Sequence, residues 1–439
     1  MKKWTQFMLK VSNDNDPDEV LLFNTLNKAI IIVSQKDLTA YEQGKIILDD
    51  DAELCKEEFL IEDNTDEEIS FMQSLSKEWE NHDAIIVHFL PTLDCNFKCK
   101  YCYQDGVERK EYMNKEDVDT IIEYLDKYIS KNSQLKQITI TLHGGEPTYY
   151  WNIVPYAMQC FKQLADKYKL KLNTSMVSNS YLLTKEKADL LKEYNWYRLQ
   201  VTLDGIKPIH DNRRSLKNDG GTFDMIVNNL KYILNHNILK TIDLRINIDM
   251  DNWELVPQLI DYIDAEFDKQ RIYLSFGNVT QTVPDTEASQ YISNKAINRN
   301  SFDKIFIQLY QYAIKKGFPL SDSYVFGSLC TGKMRNSFIF SPDKNIYKCL
   351  SMVGRTDGII GNWNTEQPNH ISKNYMNLKL YSACFQKKCP LIPICHADCR
   401  FDALINLNDF NKVFCRKELL LKINNNMLKA KYLNKENER

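Results

Sequence analysis

"AIIVHFLPTLDCNFKCKYCYQ", residues 84–104, runs an apolar stretch straight into three cysteines spaced Cys95-x3-Cys99-x2-Cys102. Residues 84–90 hold one polar side chain, His88, and have the length of a strand buried on both faces. Five more runs read the same way: QITITL (137–142), LKLNTSMVS (170–178), YRLQVTLD (197–204), IDLRINID (242–249) and RIYLSFG (271–277). Helical periodicity fills the intervals, as in EDVDTIIEYLDKYI (116–129), EKADLLKEY (186–194), TFDMIVNNLKYIL (222–234) and LVPQLIDYIDAEF (255–267). Strict alternation of strand and helix predicts an α/β fold with a parallel sheet. Six such units predict a partial (β/α)6 TIM-like barrel, open rather than closed at eight. In such barrels the loops after the strands hold the reactive groups, and the cysteine trio stands in one of them.

The flanks differ in character. EVLLFNTLNKAIIIV (19–33) reads as a hairpin around a polar turn at Asn24–Lys28. NTDEEISFMQSLSKEW (64–79) reads as a helix, with Thr65 and Glu68 at capping-box spacing and Ile69, Met72 and Trp79 on one face. These features predict a small α+β domain over 1–82, the barrel over 83–320 and a cysteine-rich domain over 321–439, with FIFSPDKNIYKC (338–349) as a hairpin. The polar tail from Asn424 is expected to fray.

Among 439 residues, 56 basic and 59 acidic side chains leave no positive excess to follow a phosphate backbone, so no nucleic-acid partner is expected. No run approaches 18 apolar residues, and the N-terminal MKKWTQFMLK lacks the apolar core of a signal peptide. The expectation is a cytoplasmic protein without membrane contact. In a reducing compartment its 12 cysteines read as metal ligands rather than disulfides. Cys55 and Cys160 stand apart from the two cysteine groups and read as small buried hydrophobes.

A structural zinc site takes four ligands, and the trio lacks a nearby fourth, His88 lying upstream on a strand. An iron-sulfur cubane held by three thiolates instead leaves one iron open to a ligand. With Tyr101 before the third cysteine, the motif resembles that of the radical S-adenosylmethionine (radical SAM) enzymes. The resemblance implies a [4Fe-4S] cluster on Cys95, Cys99 and Cys102, with S-adenosyl-L-methionine chelated by the open iron and cleaved reductively to a 5′-deoxyadenosyl radical. HGGEP (143–147) follows the second strand and resembles the family's GGE motif. There a glycine pair lets backbone approach a ligand, and Glu146 can accept hydrogen bonds from an ammonium. SNS (178–180) and VTLDGIKPIHDNRR (201–214) resemble the segments around the cofactor's ribose and carboxylate. Tyr101, Gly144, Gly145, Glu146, Ser178, Thr202 and Arg214 are thereby implied as cofactor contacts. Asp204 is either a further contact or a turn former ahead of Gly205, and Arg245 and Asn247 are candidates by position.

The back group, Cys330, Cys349, Cys384, Cys389, Cys395, Cys399 and Cys415, exceeds the needs of one zinc ribbon. DKNIYKC (343–349) and CPLIPICHADC (389–399) resemble the SPASM extension, which carries two auxiliary [4Fe-4S] clusters. The resemblance implies Cys330, Cys349 and Cys399 for auxiliary cluster I and Cys384, Cys389, Cys395 and Cys415 for auxiliary cluster II, making three [4Fe-4S] clusters in the chain. Two departures stand out: Cys384-x4-Cys389 is longer by two residues than the family spacing, with Gln386 in a cysteine's place, and Lys344 replaces a turn glycine. Two structural zinc sites are the alternative.

Leu350 follows Cys349 where the sulfatase-maturing branch has an aspartate, which speaks against that branch. Residues 1–82 resemble the winged-helix peptide-binding domain of maturases of ribosomally synthesised peptides, in which a leader adds a strand to a sheet edge; a plain cap on the barrel is the other reading. The resemblance therefore implies a peptide maturase that crosslinks a precursor peptide bearing a leader, served by an electron donor such as flavodoxin or ferredoxin. Three thiols at auxiliary cluster I leave one iron open, or filled by His396, Cys55 or water. An open iron suits a substrate thiolate, so a thioether is expected over a carbon-carbon crosslink. A radical SAM dehydrogenase, an epimerase or a protein-maturing enzyme on another substrate are alternatives. An electron-transfer protein would need no GGE motif. No catalytic base is assigned.

Overall fold

The computed structural model describes residues 2–43, 51–107, 110–280, 286–321, 325, 327, 329–364 and 375–433. In the N-terminal domain β1 (Lys2–Trp4) pairs antiparallel with β5 (Leu60–Glu62), while β2 (Met8–Ser12), β3 (Glu19–Asn24) and β4 (Ile30–Ser34) form an antiparallel sheet in that order. The expected hairpin is β3–β4, closed by Asn24 N donating to Ala29 O at 2.9 Å. β4 lies at the sheet edge, with Ile32 exposed.

The helix Glu67–Asn81 starts one residue later than its sequence signal: Asp66, not Thr65, accepts from Ile69 N at 3.0 Å. Its buried face also differs, because Phe71 and Leu75 are buried while Ile69 is 54% exposed. The cause is tertiary. Phe71 and Leu75 pack with Phe7 against Tyr381, Phe385 and Ile392 of the C-terminal domain. Trp79 Nε1 donates to Lys333 O at 2.8 Å and Thr25 Oγ1 to Pro390 O at 2.5 Å. The two ends of the chain thus share one apolar core.

The six expected strands are present as β6 (Ala84–Phe89), β7 (Gln137–Leu142), β8 (Lys171–Val177), β9 (Trp196–Thr202), β10 (Ile242–Ile248) and β11 (Ile272–Asn278), all parallel and adjacent in chain order. β10 shows how the sequence sets its faces. Ile242, Leu244, Ile246 and Ile248 are buried, whereas Arg245 and Asn247 between them are half-buried and reach the lumen. The sheet continues beyond β6. β12 (Ser337–Phe340) pairs parallel with β6 and antiparallel with β13 (Asn345–Tyr347), which pairs with β14 (Ile359–Asn362). The expected 338–349 hairpin therefore exists but belongs to the barrel sheet, where it supplies partners for the apolar edge strand β6. Lys344 turns this hairpin with φ +65°, the left-handed conformation that a glycine would adopt without strain.

The tail is ordered further than its polarity implied. Helix Lys417–Leu428 buries Leu420, Ile423, Asn424, Met427 and Leu428, packing against helix Arg299–Lys315, and residues 434–439 lie outside the described ones. Among the described residues no helix is long and apolar enough to cross a membrane.

Candidate functional site

The cysteine loop after β6 is laced to the segment 213–217. Lys98 N donates to Ser215 O at 2.9 Å, Lys100 N to Arg213 O at 3.1 Å, and Lys217 N to Asn96 O at 3.1 Å. Asp94 anchors the loop's start, accepting from Cys95 N at 2.8 Å, Lys217 Nζ at 2.7 Å and Tyr112 Oη at 3.0 Å. From β7, Gly145 N donates to Thr92 O at 3.1 Å and Glu146 N to Asp94 O at 3.0 Å. A Cβ on Gly144 would lie 2.3 Å from Thr92 O, and one on Gly145 2.3 Å from Asp94 O. The glycine pair is thus required by the chain's own backbone, and both glycines also line the cleft that holds the cysteine trio.

Glu146 is 1% exposed and well supplied with donors. One oxygen accepts from Thr148 N at 2.9 Å, Thr148 Oγ1 at 2.5 Å and Ser178 Oγ at 2.7 Å; the other accepts from Asn179 N at 2.7 Å. Burial pushes the carboxyl up, and these donors pull against it. Ser178 therefore serves Glu146 while also lining the cleft.

Tyr101 is held from three sides. Its hydroxyl donates to Asp204 and accepts from Arg214 Nη1 at 2.9 Å and Asn247 Nδ2 at 3.3 Å. Asp204 is fully buried behind it, accepting also from Asn247 N at 3.0 Å and facing Arg213 Nε at 3.5 Å. Arg213 in turn donates to both oxygens of Asp249 at 2.6 Å. The structure thus places Asp204 beneath Tyr101, outside the cleft lining, rather than at the cofactor-contact position that the resemblance allows for it.

A cleft of about 910 Å³ brings together Cys95, Cys99 and Cys102 with Tyr101, Gly144, Gly145, Glu146, Ser178, Thr202 and Arg214. Arg245 and Asn247 also line it. So do residues the sequence reading missed: Asn179, whose position inside SNS was a usable signal, and Phe401 and Asp402, for which there was none. Burial pushes the Cys102 thiol up to about 12, with Cys99 adding repulsion, and Cys95 is pushed up by burial and by Cys99. Among the described residues no three His, Cys, Asp or Glu side chains converge as a site for one metal ion. His88 is buried beside His143, and among the described residues neither of its ring nitrogens has a partner. Around the cleft, Asn96 Nδ2, Gln104 Nε2 and Arg214 Nε are buried donors with no acceptor among the described residues. Three mutually interacting thiols beside unspent donors fit a cluster and a ligand rich in carboxylate and hydroxyl oxygens.

The C-terminal thiols sort by mutual proximity. After burial, the strongest neighbours of Cys349 are Cys399 and Cys330, and those of Cys384 are Cys389 and Cys415. Cys395 stands near Asp398, Arg416 and Lys333. Burial pushes Cys349 and Cys395 up to about 12 and Cys384 and Cys399 up to about 11. The longer Cys384–Cys389 loop is absorbed by Lys388 at φ +44°, with Cys389 N donating to Cys384 O at 3.2 Å. Cys399 also lines the cleft of the first trio. Cys55 belongs to the N-terminal core, within 2.6 Å of Lys2 Nζ, and His396 faces Lys333 and Lys28.

Residues 89–263 match the Radical SAM superfamily, a span that runs from the last residue of β6 through β10 and holds Cys95, Cys99, Cys102, Glu146, Ser178, Thr202 and Arg214. This span forms a radical SAM domain. The radical SAM fold implies one [4Fe-4S] cluster and S-adenosylmethionine. Over 160 residues the chain is 28% identical to the radical SAM cyclopropyl synthase TigE of Paramaledivibacter caminithermalis, which is 33% of either protein. Over 337 residues it is 23% identical to the cysteine-type anaerobic sulfatase-maturating enzyme of Clostridium novyi, covering 70% of this chain and 85% of that one. Among solved structures, native anSMEcpe with AdoMet and a Kp18Cys peptide superposes with a TM-score of 0.57 at 17% identity, over 72% of this chain and 89% of that one. Streptococcus suis SuiB bound to precursor peptide SuiA superposes with a TM-score of 0.53 at 14% identity, over 95% of this chain and 99% of that one. The chain thus joins a radical SAM domain to a cysteine-rich C-terminal region.

Proposed function

We propose that this protein is a radical SAM/SPASM peptide maturase that installs a crosslink, preferentially a thioether, in a ribosomally made precursor peptide. Cys95, Cys99 and Cys102 would hold the radical SAM cluster, and Tyr101, Glu146, Ser178, Thr202 and Arg214 would surround S-adenosyl-L-methionine. Bound there, cluster and cofactor supply reductive cleavage to a 5′-deoxyadenosyl radical. The chain's own contribution is position: Tyr101 is pinned by Asp204 and Arg214, and Glu146 is pinned by Thr148 and Asn179. Cys330, Cys349 and Cys399 would hold auxiliary cluster I, and Cys384, Cys389, Cys395 and Cys415 auxiliary cluster II.

The observation that carries the thioether reading is that Cys399, grouped with Cys330 and Cys349 only, lines the same cleft as the first trio. Three thiols at that group leave a ligand position for a substrate cysteine beside the place where hydrogen would be abstracted. The outer edge of β4, which pairs with no strand among the described residues, supports leader binding by strand addition. Superposition on SuiB, solved with a precursor peptide, supports a peptide substrate. The relative named for cyclopropyl synthesis keeps carbon-carbon bond formation as the second reading.

The test is mass spectrometry of a cysteine-containing precursor treated with reconstituted protein, S-adenosylmethionine and dithionite, alongside its Cys-to-Ser variant. The thioether reading predicts a product lighter by two hydrogens from the Cys peptide alone. An equal loss from the Ser peptide selects carbon-carbon closure, and no 5′-deoxyadenosine at full iron content removes the enzyme reading.

A further inference from the structure

On the proposed assignment Cys395 and Cys399 serve different clusters, and the three residues between them share an unusual backbone. His396, Ala397 and Asp398 have φ +51°, +57° and +68°. Successive non-glycine residues in this region cost about 1–3 kcal/mol each and persist only where surrounding contacts over-determine them. Here the contacts are cations. Lys333 Nζ donates to His396 O and to Asp398 O, the latter at 2.7 Å, and Arg400 Nη2 donates to Ala397 O. Arg416 Nε donates to Asp398 Oδ1 at 2.6 Å and faces Asp402 at 3.9 Å.

Lys333 is 6% exposed and Arg400 3%. Among the described residues both side chains donate to carbonyl oxygens alone, Arg400 Nη1 reaching Phe410 O and Lys412 O at 3.1 Å. The acids at the turn, Asp398 and Asp402, are both engaged by Arg416. A buried cation without an anion is costly to desolvate. Arg400 has an anion, interacting first with Asp398 and then with Cys399 and Cys395. Lys333 differs: besides Arg400, its strongest neighbours among the described residues are the thiols Cys330, Cys395 and Cys399. Lys348 makes the contrast: equally buried, it caps the carbonyls of Met334, Arg335 and Ser337 and lies 5.2 Å from the Phe338 ring, which is a purely structural role.

We propose that Lys333 is the counter-charge shared by the two auxiliary clusters, and that from the turn joining them it holds both reduction potentials up. This rests on the cluster assignment above. A thiolate-bound cubane is anionic, so it supplies the charge this cation lacks, and a nearby cation favours the form with one more electron.

The test uses full-length protein with Cys95, Cys99 and Cys102 changed to Ala, so that only auxiliary signals remain, and follows them by paramagnetic resonance during titration with dithionite. Lys333→Met is expected to shift the auxiliary midpoints negative at unchanged iron content, and Lys333→Arg to return them toward the parent. Lys333→Gln, which keeps N–H donors for the two carbonyls, gives the same negative shift if the Met variant folds poorly. Unchanged midpoints in both neutral variants at full iron would overturn the proposal. Loss of auxiliary iron from both would also overturn it, making Lys333 a clamp on the turn. A parent protein that lacks iron for two cubanes would instead refute the cluster assignment beneath it.

Discussion

Arg214 donates from Nη1 to the Tyr101 hydroxyl at 2.9 Å, so the segment after β9 holds the side chain that precedes the third loop cysteine. The same hydroxyl donates to Asp204, and Arg213 lies 5.0 Å over the Tyr101 ring. Tyr101→Phe removes the hydroxyl and leaves Arg214 and Asp204 without their shared partner. The expected outcome is a loss of about 1–3 kcal/mol in stability and weaker S-adenosylmethionine binding by calorimetry. Unchanged affinity would show that the hydroxyl serves the fold alone.

Asp204 separates support from contact. Asp204→Asn keeps the shape but strips a buried charge facing Arg213 at 3.5 Å, and is expected to cost about 3–5 kcal/mol in denaturant unfolding. Intact stability combined with lost cofactor affinity would return Asp204 to the role of a direct contact.

Gly145 carries a steric prediction. Gly145→Ala sets a methyl 2.3 Å from Asp94 O, and the carbonyl belongs to backbone that cannot swing aside. The cysteine loop must shift, so iron bound per chain is expected to fall by about one cubane while the C-terminal thiols keep theirs. Full iron and normal cofactor cleavage would contradict the packing role of the glycine pair.

Recognition of a peptide is best tested by a point change. Removing residues 1–82 would strip Phe7, Phe71 and Leu75 from Tyr381 and Phe385 and expose the shared core. Phe71→Ala alone is expected to cost about 3–5 kcal/mol. Ile32 lies exposed on β4, so Ile32→Asp spares that core. It is expected to weaken precursor binding about tenfold while 5′-deoxyadenosine formation in the absence of peptide stays unchanged. Equal affinity would reduce the N-terminal domain to a cap.

The barrel was legible because apolar or alternating runs of strand length recur between helical stretches, and the trio was legible because Cys95, Cys99 and Cys102 lie within one loop. What escaped depends on distant partners. Phe71 and Leu75 face inward because Tyr381 and Phe385 arrive from the other end of the chain. Gly144 and Gly145 meet Thr92 and Asp94, and Asp204 lies under Tyr101, through contacts between separate loops that no local pattern encodes. Asn424 looked like tail composition, yet sits buried between Ile423 and Met427 on an apolar helix face.

The most direct measurement of the central claim is 5′-deoxyadenosine formed per chain under dithionite, set beside iron content, for the wild type and for the variant with Cys95, Cys99 and Cys102 all changed to Ala. The account predicts cleavage by the wild type, none by the variant, and a loss of about one cubane in three. Cleavage that survives in the triple variant, or a wild type that cleaves nothing at full iron, would contradict it.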